Sequence, residues 1–119
     1  MKIRSLHPGF FSDHKITSLP YEARILFAGL WCRSDDYGRG KYLPKSIEGD
    51  VFPVDTVNIV ELLLALENVG LIRLYDVDDE KFYEVSNWDS YQSPKYKSKN
   101  KMPDPEGYVT PGQVDTGLF

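Results

Sequence analysis

The sequence predicts an α+β fold in which helices precede a β-hairpin. The longest apolar helix is predicted over residues 56–69 and ends at Gly70, a residue suited to terminating a helix. Two strands follow at once, over residues 71–75 and 82–88, with an acidic turn between them. Two shorter helices and a short strand are predicted before these elements. This order of three helices, a short strand and a C-terminal hairpin is that of a winged helix-turn-helix domain.

The first 19 residues are predicted to form an extended or irregular arm. A turn is expected at residues 7–9, where Pro and Gly follow one another. Phe10 and Phe11 come directly after this turn and offer large apolar side chains. We therefore expect both rings to anchor the arm on the core.

The first helix is predicted to begin near Pro20, which suits the first helical position, with Glu22 in the first turn. Its apolar residues recur at helical spacing and are Ala23, Leu26, Phe27, Leu30 and Trp31. A polar loop over residues 34–40 is expected to end this helix.

A short strand is predicted over residues 41–43, followed by a second helix over residues 44–51. Ile47 and Val51 lie four residues apart and are expected to be the buried stripe of this helix. Pro53 is expected to stop the helix.

The third helix is predicted to be capped by Asp55 or Thr56. With residues placed at about 100° intervals, the core-facing arc consists of Ile59, Leu62, Leu63, Leu66 and Val69. The outer arc consists of Asn58, Glu61, Ala65 and Asn68, flanked by Val57 and Leu64. In the hairpin, Ile72 and Leu74 are predicted to face inward, and Arg73 and Tyr75 outward.

Periodicity is lost after Asp89, and the remaining sequence is basic and then rich in Pro and Gly. Residues 91–119 are therefore predicted to be a flexible tail. The predicted organisation is an arm over residues 1–19 packed on the core, a domain over residues 20–90, and this tail.

Composition excludes several classes of site. One cysteine, Cys32, leaves no internal disulfide and no cysteine-rich zinc motif, and it is predicted to be a small buried apolar residue. His7 and His14 are the only imidazoles, so neither a metal nor a cofactor is predicted. Neither a signal peptide nor a membrane-spanning run is present, which predicts a cytoplasmic protein without a membrane partner.

The sequence does not predict an enzyme. The carboxylate pairs Asp35–Asp36 and Asp78–Asp79 lie in predicted loops, where a solvated turn is the ordinary explanation. The Gly-Arg-Gly sequence at residues 38–40 has neither the Lys-Ser/Thr nor the leading strand of a phosphate-binding loop. Ser, Thr and Cys residues have no recognisable base near them in the sequence.

The runs at residues 3–11 (IRSLHPGFF) and 19–31 (LPYEARILFAGLW) resemble the amino-terminal domain of replication-initiation (replisome organiser-like) proteins of phages and prophages. The similarity continues through residues 36–39, 44–45, 51–53, 67–72 and 91–92, and covers roughly residues 3–103. The resemblance implies a winged helix-turn-helix domain that binds DNA near a replication origin. In longer relatives, a Pro-rich linker leads to a second domain.

The charges are segregated along the chain. Lys and Arg outnumber Asp and Glu by eight to six in residues 1–50 and by four to three in residues 91–119, but residues 51–90 hold two basic and nine acidic residues. Lys and Arg supply most of the affinity for phosphates. The predicted phosphate contacts are Arg39, Lys41, Lys45, Lys95, Lys97, Lys99 and Lys101, and the predicted base contacts are Ser46 and Asn58. The tail lysines, interleaved with Tyr96, favour either single-stranded DNA or a solvated linker.

The acidic third helix and hairpin favour an alternative function. The predicted helix contains no Lys or Arg, and four of the five residues 76–80 are acidic, which disfavours the usual docking on duplex DNA. The alternative is a protein-interaction module, either a replisome adaptor or a phage inhibitor of a host factor, with its interface at Val57, Glu61, Leu64 and Asn68. Val57 and Leu64 are apolar, so they also suit a homodimer interface, or burial against the hairpin or the arm.

Overall fold

The computed structural model describes residues 1–94, 96–98 and 101–106. Within these residues the fold is α+β, as predicted, with five α-helices and a three-stranded antiparallel sheet. In chain order the elements are a 3-10 helix at Pro8–Phe11, α1 at His14–Thr17, α2 at Tyr21–Arg33, β1 at Arg39–Lys41, α3 at Pro44–Val51, α4 at Ile59–Asn68, β2 at Ile72–Val77, β3 at Glu80–Val85 and α5 at Trp88–Tyr91. None of the described helices is long and apolar enough to cross a membrane.

The core lies between the helices and one face of the sheet. α2 packs on both α3 and α4, and α4 packs on β2. The fully buried residues of the three helices are Ala23, Leu26, Phe27, Leu30, Ile47, Leu63 and Leu66. The predicted apolar faces of all three helices are therefore confirmed, because each of these residues faces a neighbouring element rather than solvent.

α4 begins later than predicted. Its N-cap is Asn58, whose side chain accepts a hydrogen bond from the Glu61 N–H, and not Asp55 or Thr56. The predicted end of this helix is confirmed. Gly70 has a left-handed φ of 81°, and its N–H donates to the Glu67 carbonyl, while the next N–H along the chain donates to the Leu66 carbonyl. This is a Schellman arrangement, which satisfies the last carbonyls of the helix.

The sheet has the order β1-β3-β2, so β3 lies in the middle. The predicted hairpin is present, but it belongs to a three-stranded sheet because β1 pairs with β3. Its turn consists of two residues, Asp78 and Asp79, with φ of 51° and 65°. The strands therefore extend further than predicted, to Val77 and from Glu80, because short acidic side chains tolerate the left-handed conformation of a tight hairpin turn.

Several local predictions were wrong. The described residues contain five α-helices rather than three, since α1 and α5 add two short ones, and the short strand is Arg39–Lys41 rather than residues 41–43. Phe10 packs on Trp31 with ring centroids 5.4 Å apart, but Phe11 is 68% exposed and does not anchor the arm. Tyr75 is buried although its position in β2 predicts an outward side chain.

Tyr75 is buried because a C-terminal segment, here defined as the described residues 96–98 and 101–106, reaches the domain after α5. The Tyr75 hydroxyl donates to the Pro103 carbonyl at 2.6 Å. The backbone N–H groups of Ser98 and Met102 donate to the carboxylates of Asp36 and Asp35, each at 2.7 Å. The described part of the predicted flexible tail is thus hydrogen-bonded to the domain.

The loop before β1 binds both ends of the described chain. Asp36 is 5% exposed, and its carboxylate accepts from Lys2 at 2.9 Å and from Arg4 at 3.0 Å, as well as from the Ser98 N–H. The prediction that Asp35–Asp36 is a solvated turn was therefore wrong for Asp36. This role is not predictable from the local sequence, because the partners lie more than 30 residues away.

We expect Gly40→Ala to lower the free energy of unfolding by about 1–3 kcal/mol, the usual range for overpacking. A Cβ at Gly40 would lie 2.6 Å from ring carbons of Tyr83, a fully buried side chain that has no space to move. Chemical denaturation measures the change. Gly49→Ala is the matched control, because nothing lies within 4 Å of its Cβ and alanine favours the helix, so that variant should be more stable by about 0.5–1 kcal/mol. Equal stability of the two variants would contradict the packing around Gly40.

Asp36 should make stability depend on acid pH. Burial alone would raise the pKa of its carboxyl, but hydrogen bonds from Ser98, Lys2 and Arg4 outweigh burial and lower the pKa from 3.8 to about 2. A folded-state pKa below the unfolded value stabilises the fold above about pH 4, and this contribution, about 2 kcal/mol, disappears as the pH falls towards 2. Urea denaturation of the unaltered chain and Asp36→Asn between pH 7 and pH 2 measures it. The Asn variant should be less stable at pH 7, and the difference should shrink below pH 4; a constant difference would refute the assignment.

Candidate nucleic-acid interface

Arg39 and Lys41 of β1 are both engaged with acidic residues of the sheet. Arg39 Nε donates to Glu84 at 2.8 Å, and its side chain is only 14% exposed. Arg39 Nη1 is buried and has no acceptor among the described residues. Lys41 Nζ lies 3.4 Å from Glu80, and both of these side chains are about half exposed. β1 therefore presents less positive charge than its sequence suggests, with Lys41 the more accessible of the two.

Lys45 and Ser46 lie in the first turn of α3. Lys45 is exposed and forms no ion pair with any described residue. The helix has Leu43 as its N-cap and therefore no side chain to satisfy the first backbone N–H groups. Ser46 is not free for a base contact in this structure, because its hydroxyl accepts a hydrogen bond from Arg33 at 3.1 Å. Lys45 and the uncapped start of α3 are favourable for a phosphate.

Arg33 is a basic residue near this turn that sequence analysis did not select. It closes α2, forms an ion pair with Asp50 of α3, and lines a groove of about 310 Å³ together with Arg39 and Lys41. Asp35 and Asp50 lie in the same groove. The structure thus brings β1, the end of α2 and α3 together into one basic groove that is partly neutralised by two acids. The sequence feature that could have identified Arg33 is its position as a basic residue in the last turn of a predicted helix.

The outer face of α4 contains no basic side chain. Its exposed residues are Val60, Glu61, Leu64 and Asn68. Asn58 is not on this face: it is the N-cap, and its side-chain oxygen accepts from the Glu61 N–H at 3.2 Å. Val57 precedes the helix and is half-buried against the core. Of the four predicted interface residues, Glu61, Leu64 and Asn68 share one exposed face, and Val57 does not.

The hairpin tip is acidic, and its lysine is paired. Lys81 Nζ lies 3.5 Å from Asp76, and Glu80 is paired with Lys41 as described above. Asp78 and Asp79 are exposed at the turn. A phosphate backbone placed against this tip would therefore meet carboxylates first, which opposes binding.

The tail lysines differ from one another. Lys97 Nζ lies 3.5 Å from Asp89 and 4.5 Å from the centroid of the Tyr37 ring. Lys101 is only 8% exposed, and its Nζ lies 3.6 Å from the same ring. Both contacts are cation–π interactions that hold the C-terminal segment on the domain. Lys95 and Lys99 lie outside the described residues.

Other site chemistry is limited in the described part of the chain. No group of three His, Cys, Asp or Glu side chains there could hold a metal ion. Cys32 is half-buried rather than fully buried as predicted. Tyr83 is fully buried and shares a hydrogen bond with the Ser34 hydroxyl, and burial raises the pKa of Tyr83 to about 12, so its phenol stays neutral. Comparison of the chain with known protein families, curated proteins and solved structures found no match.

Asn58→Ala should destabilise the domain because it removes the α4 cap. The expected loss in the free energy of unfolding is about 1 kcal/mol, with Asn58→Ser restoring most of it. Thermal or urea denaturation measures both variants. Asn68→Ala is the matched control, since this exposed residue in the last turn does not cap the helix, and its effect should stay within about 0.5 kcal/mol. Equal losses for Asn58→Ala and Asn68→Ala would argue against the cap.

Proposed function

We propose that this chain is a non-catalytic winged helix-turn-helix domain that binds DNA in replication initiation of a phage or prophage. The observation that supports this most is the topology: three packed helices, α2, α3 and α4, with β1 between the first two and the β2–β3 hairpin after the last. β1 pairs with β3 beside the hairpin, giving a compact sheet next to the helices. The resemblance of residues 3–11 and 19–31, with shorter stretches as far as residues 91–92, to phage replication proteins supports the proposed biological role.

In the helix-turn-helix mode, the second helix of the motif enters the major groove and the first crosses the phosphate backbone. Here α3 would be the first and α4 the second. The start of α3 suits this role, because Lys45 is exposed and unpaired within the described residues and the helix N-terminus lacks a side-chain cap. Arg33 and Lys41 lie in the adjoining groove and extend the basic surface.

α4 and the hairpin tip do not suit close contact with DNA. Glu61 is the charged residue in the first turn of α4, and Asp78 and Asp79 form the tip. Contacts to phosphates therefore come mainly from the α3 side, and they are few. A few phosphate contacts predict modest affinity with a shallow dependence on salt, because the slope of log K against log salt concentration is about −0.9 for each phosphate neutralised on duplex DNA. Such binding is positioned by the backbone and has little base specificity.

A second candidate function is a protein-interaction module that has this fold and does not bind DNA. This function is favoured because basic residues of the sheet are neutralised by ion pairs. The pairs are Arg39 with Glu84, Lys41 with Glu80 and Lys81 with Asp76. Titration of duplex and single-stranded DNA at low and moderate salt separates the two functions. No salt-dependent binding to either form at low salt would refute the DNA proposal and leave the second candidate.

We expect Lys45→Glu to weaken DNA binding at least fivefold at low salt and to reduce the salt slope by about 1, because it removes a phosphate contact. Fluorescence anisotropy with labelled duplex measures both quantities. Lys15→Glu is the matched control. Lys15 is also exposed and unpaired within the described residues, but it lies beside Gly70 at the far end of α4. If Lys15→Glu weakened DNA binding as much as Lys45→Glu does, the affinity would depend on the net charge of the domain and not on Lys45 at the start of α3.

A further inference from the structure

A second groove lies between the first turns of α2 and α4 and the loop that precedes α4. Its volume is about 560 Å³. Its apolar side chains are Ile25, Phe52, Val57 and Leu62. Ile25 is 54% exposed, although it lies on α2, which supplies more buried core residues than any other described element. Phe52 is buried, and Val57 and Leu62 are half-buried, so Ile25 is the exposed apolar side chain among these four. An exposed apolar side chain beside half-buried ones in a groove is a candidate contact surface.

The rim of this groove is acidic. Glu22, Asp55 and Glu61 line it, and none of the described Lys or Arg residues does. All three acids are exposed, and none forms an ion pair with a described residue. Some acids elsewhere on the domain, such as Asp50, Glu80 and Glu84, have basic partners, whereas Asp78 and Asp79 at the hairpin turn form no ion pair with a described residue. The carboxylates around the groove are thus available to a positively charged ligand.

Glu22 and Glu61 also lie in the first turns of their helices, where a carboxylate stabilises the helix dipole. That role accounts for two of the acids. It does not account for Asp55, which lies outside any helix, nor for the exposed Ile25 beside them. It also does not account for Val54, which is 91% exposed next to Asp55.

We propose that this groove binds a short basic segment of a partner protein, with one or two apolar side chains on Ile25 and Leu62 and with Lys or Arg against the three acids. Charge complementarity selects this occupant, because the acids would repel DNA and an acidic peptide alike. Apolar anchors surrounded by complementary charges are the usual form of peptide recognition in a groove. This proposal does not depend on DNA binding.

The acidic groove is separated from the basic groove along α2. Glu22 lies in the first turn of α2, and Arg33, which lines the basic groove, is its last residue. The two residues are eleven positions apart along the helix, which corresponds to a rise of about 16 Å along its axis. The acidic groove and the basic groove are therefore at opposite ends of α2. The acidic groove also includes the first turn of α4, the helix that would enter the major groove, so a basic segment bound there would compete with duplex DNA docked in that mode.

The test uses three labelled peptides of equal length: one with Leu and Arg on opposite faces, one with Ser in place of Leu, and one with Glu in place of Arg. Fluorescence anisotropy measures binding to the full chain. Only the Leu/Arg peptide should bind. Asp55→Asn/Glu61→Gln should weaken it about fivefold to tenfold, as expected for two lost charge contacts. Asp78→Asn/Asp79→Asn changes net charge equally at the hairpin turn and should leave binding unchanged.

Ile25→Ser tests the apolar floor and should weaken binding at least fivefold, whereas Leu64→Ser, at a comparably exposed apolar site on α4, should not. In ¹⁵N-labelled protein, the peptide should shift amide signals at Ile25 and Leu62. No binding of the Leu/Arg peptide, or equal effects of the two acid-neutralising pairs, would overturn the proposal. So would self-association of the chain that Ile25→Ser abolishes, since a second copy would then fill the groove. DNA binding of the same variants is titrated in a separate experiment. Neither pair of substitutions removes a basic residue, so a loss of peptide binding is distinguishable from a loss of DNA binding.

Discussion

The carboxylates of Asp35 and Asp36 hold the described chain together at one point. They lie in the loop between α2 and β1, where the helical layer meets the sheet. Asp36 accepts hydrogen bonds from Lys2 and Arg4 of the arm, and each carboxylate accepts one from a backbone N–H of the C-terminal segment. Asp35 also accepts from the Arg39 N–H at the start of β1. A buried carboxylate is stable only when so partnered, so both ends of the described chain are required for this loop.

A second constraint connects the sheet to α2. Tyr83, on the central strand, is fully buried beneath Gly40, its partner on β1. Its hydroxyl lies 3.0 Å from the Ser34 hydroxyl, just after the end of α2. The missing side chain at Gly40 makes space for the ring, and the hydroxyl pair satisfies two buried polar groups. Together with the Asp35–Asp36 loop, this contact fixes β1 beside α2 and so places Arg33, Arg39 and Lys41 around one groove.

The charge that each surface presents therefore depends on which acidic and basic side chains form ion pairs, and not on how many of each the chain contains. β1, the hairpin and the C-terminal segment place most of their basic side chains next to acids or aromatic rings, whereas several charged residues elsewhere in the described chain form no ion pair. Lys45 is unpaired at the start of α3, and Glu22, Asp55 and Glu61 are unpaired around the groove between α2 and α4. These two places correspond to the two proposed contacts, a nucleic acid at the start of α3 and a basic protein segment at the groove between α2 and α4.

The sequence by itself determined the α+β class, the three principal helices with their apolar faces, the hairpin, and the Gly70 terminus, because these depend on local periodicity and on residues that prefer one backbone conformation. Only the tertiary structure decided the roles of the charged residues. Asp36 was predicted to lie in a solvated turn but is a buried hydrogen-bond acceptor. Asn58 was predicted to contact a base but caps α4. Lys101 was predicted to be a phosphate contact in the tail but is buried on Tyr37. The acidic groove was equally invisible, since Ile25 and Leu62 are ordinary apolar residues of two predicted helices. The physical reason is that a charge or an apolar surface acquires its function from its neighbours in space, and those neighbours are set by how helices and strands pack.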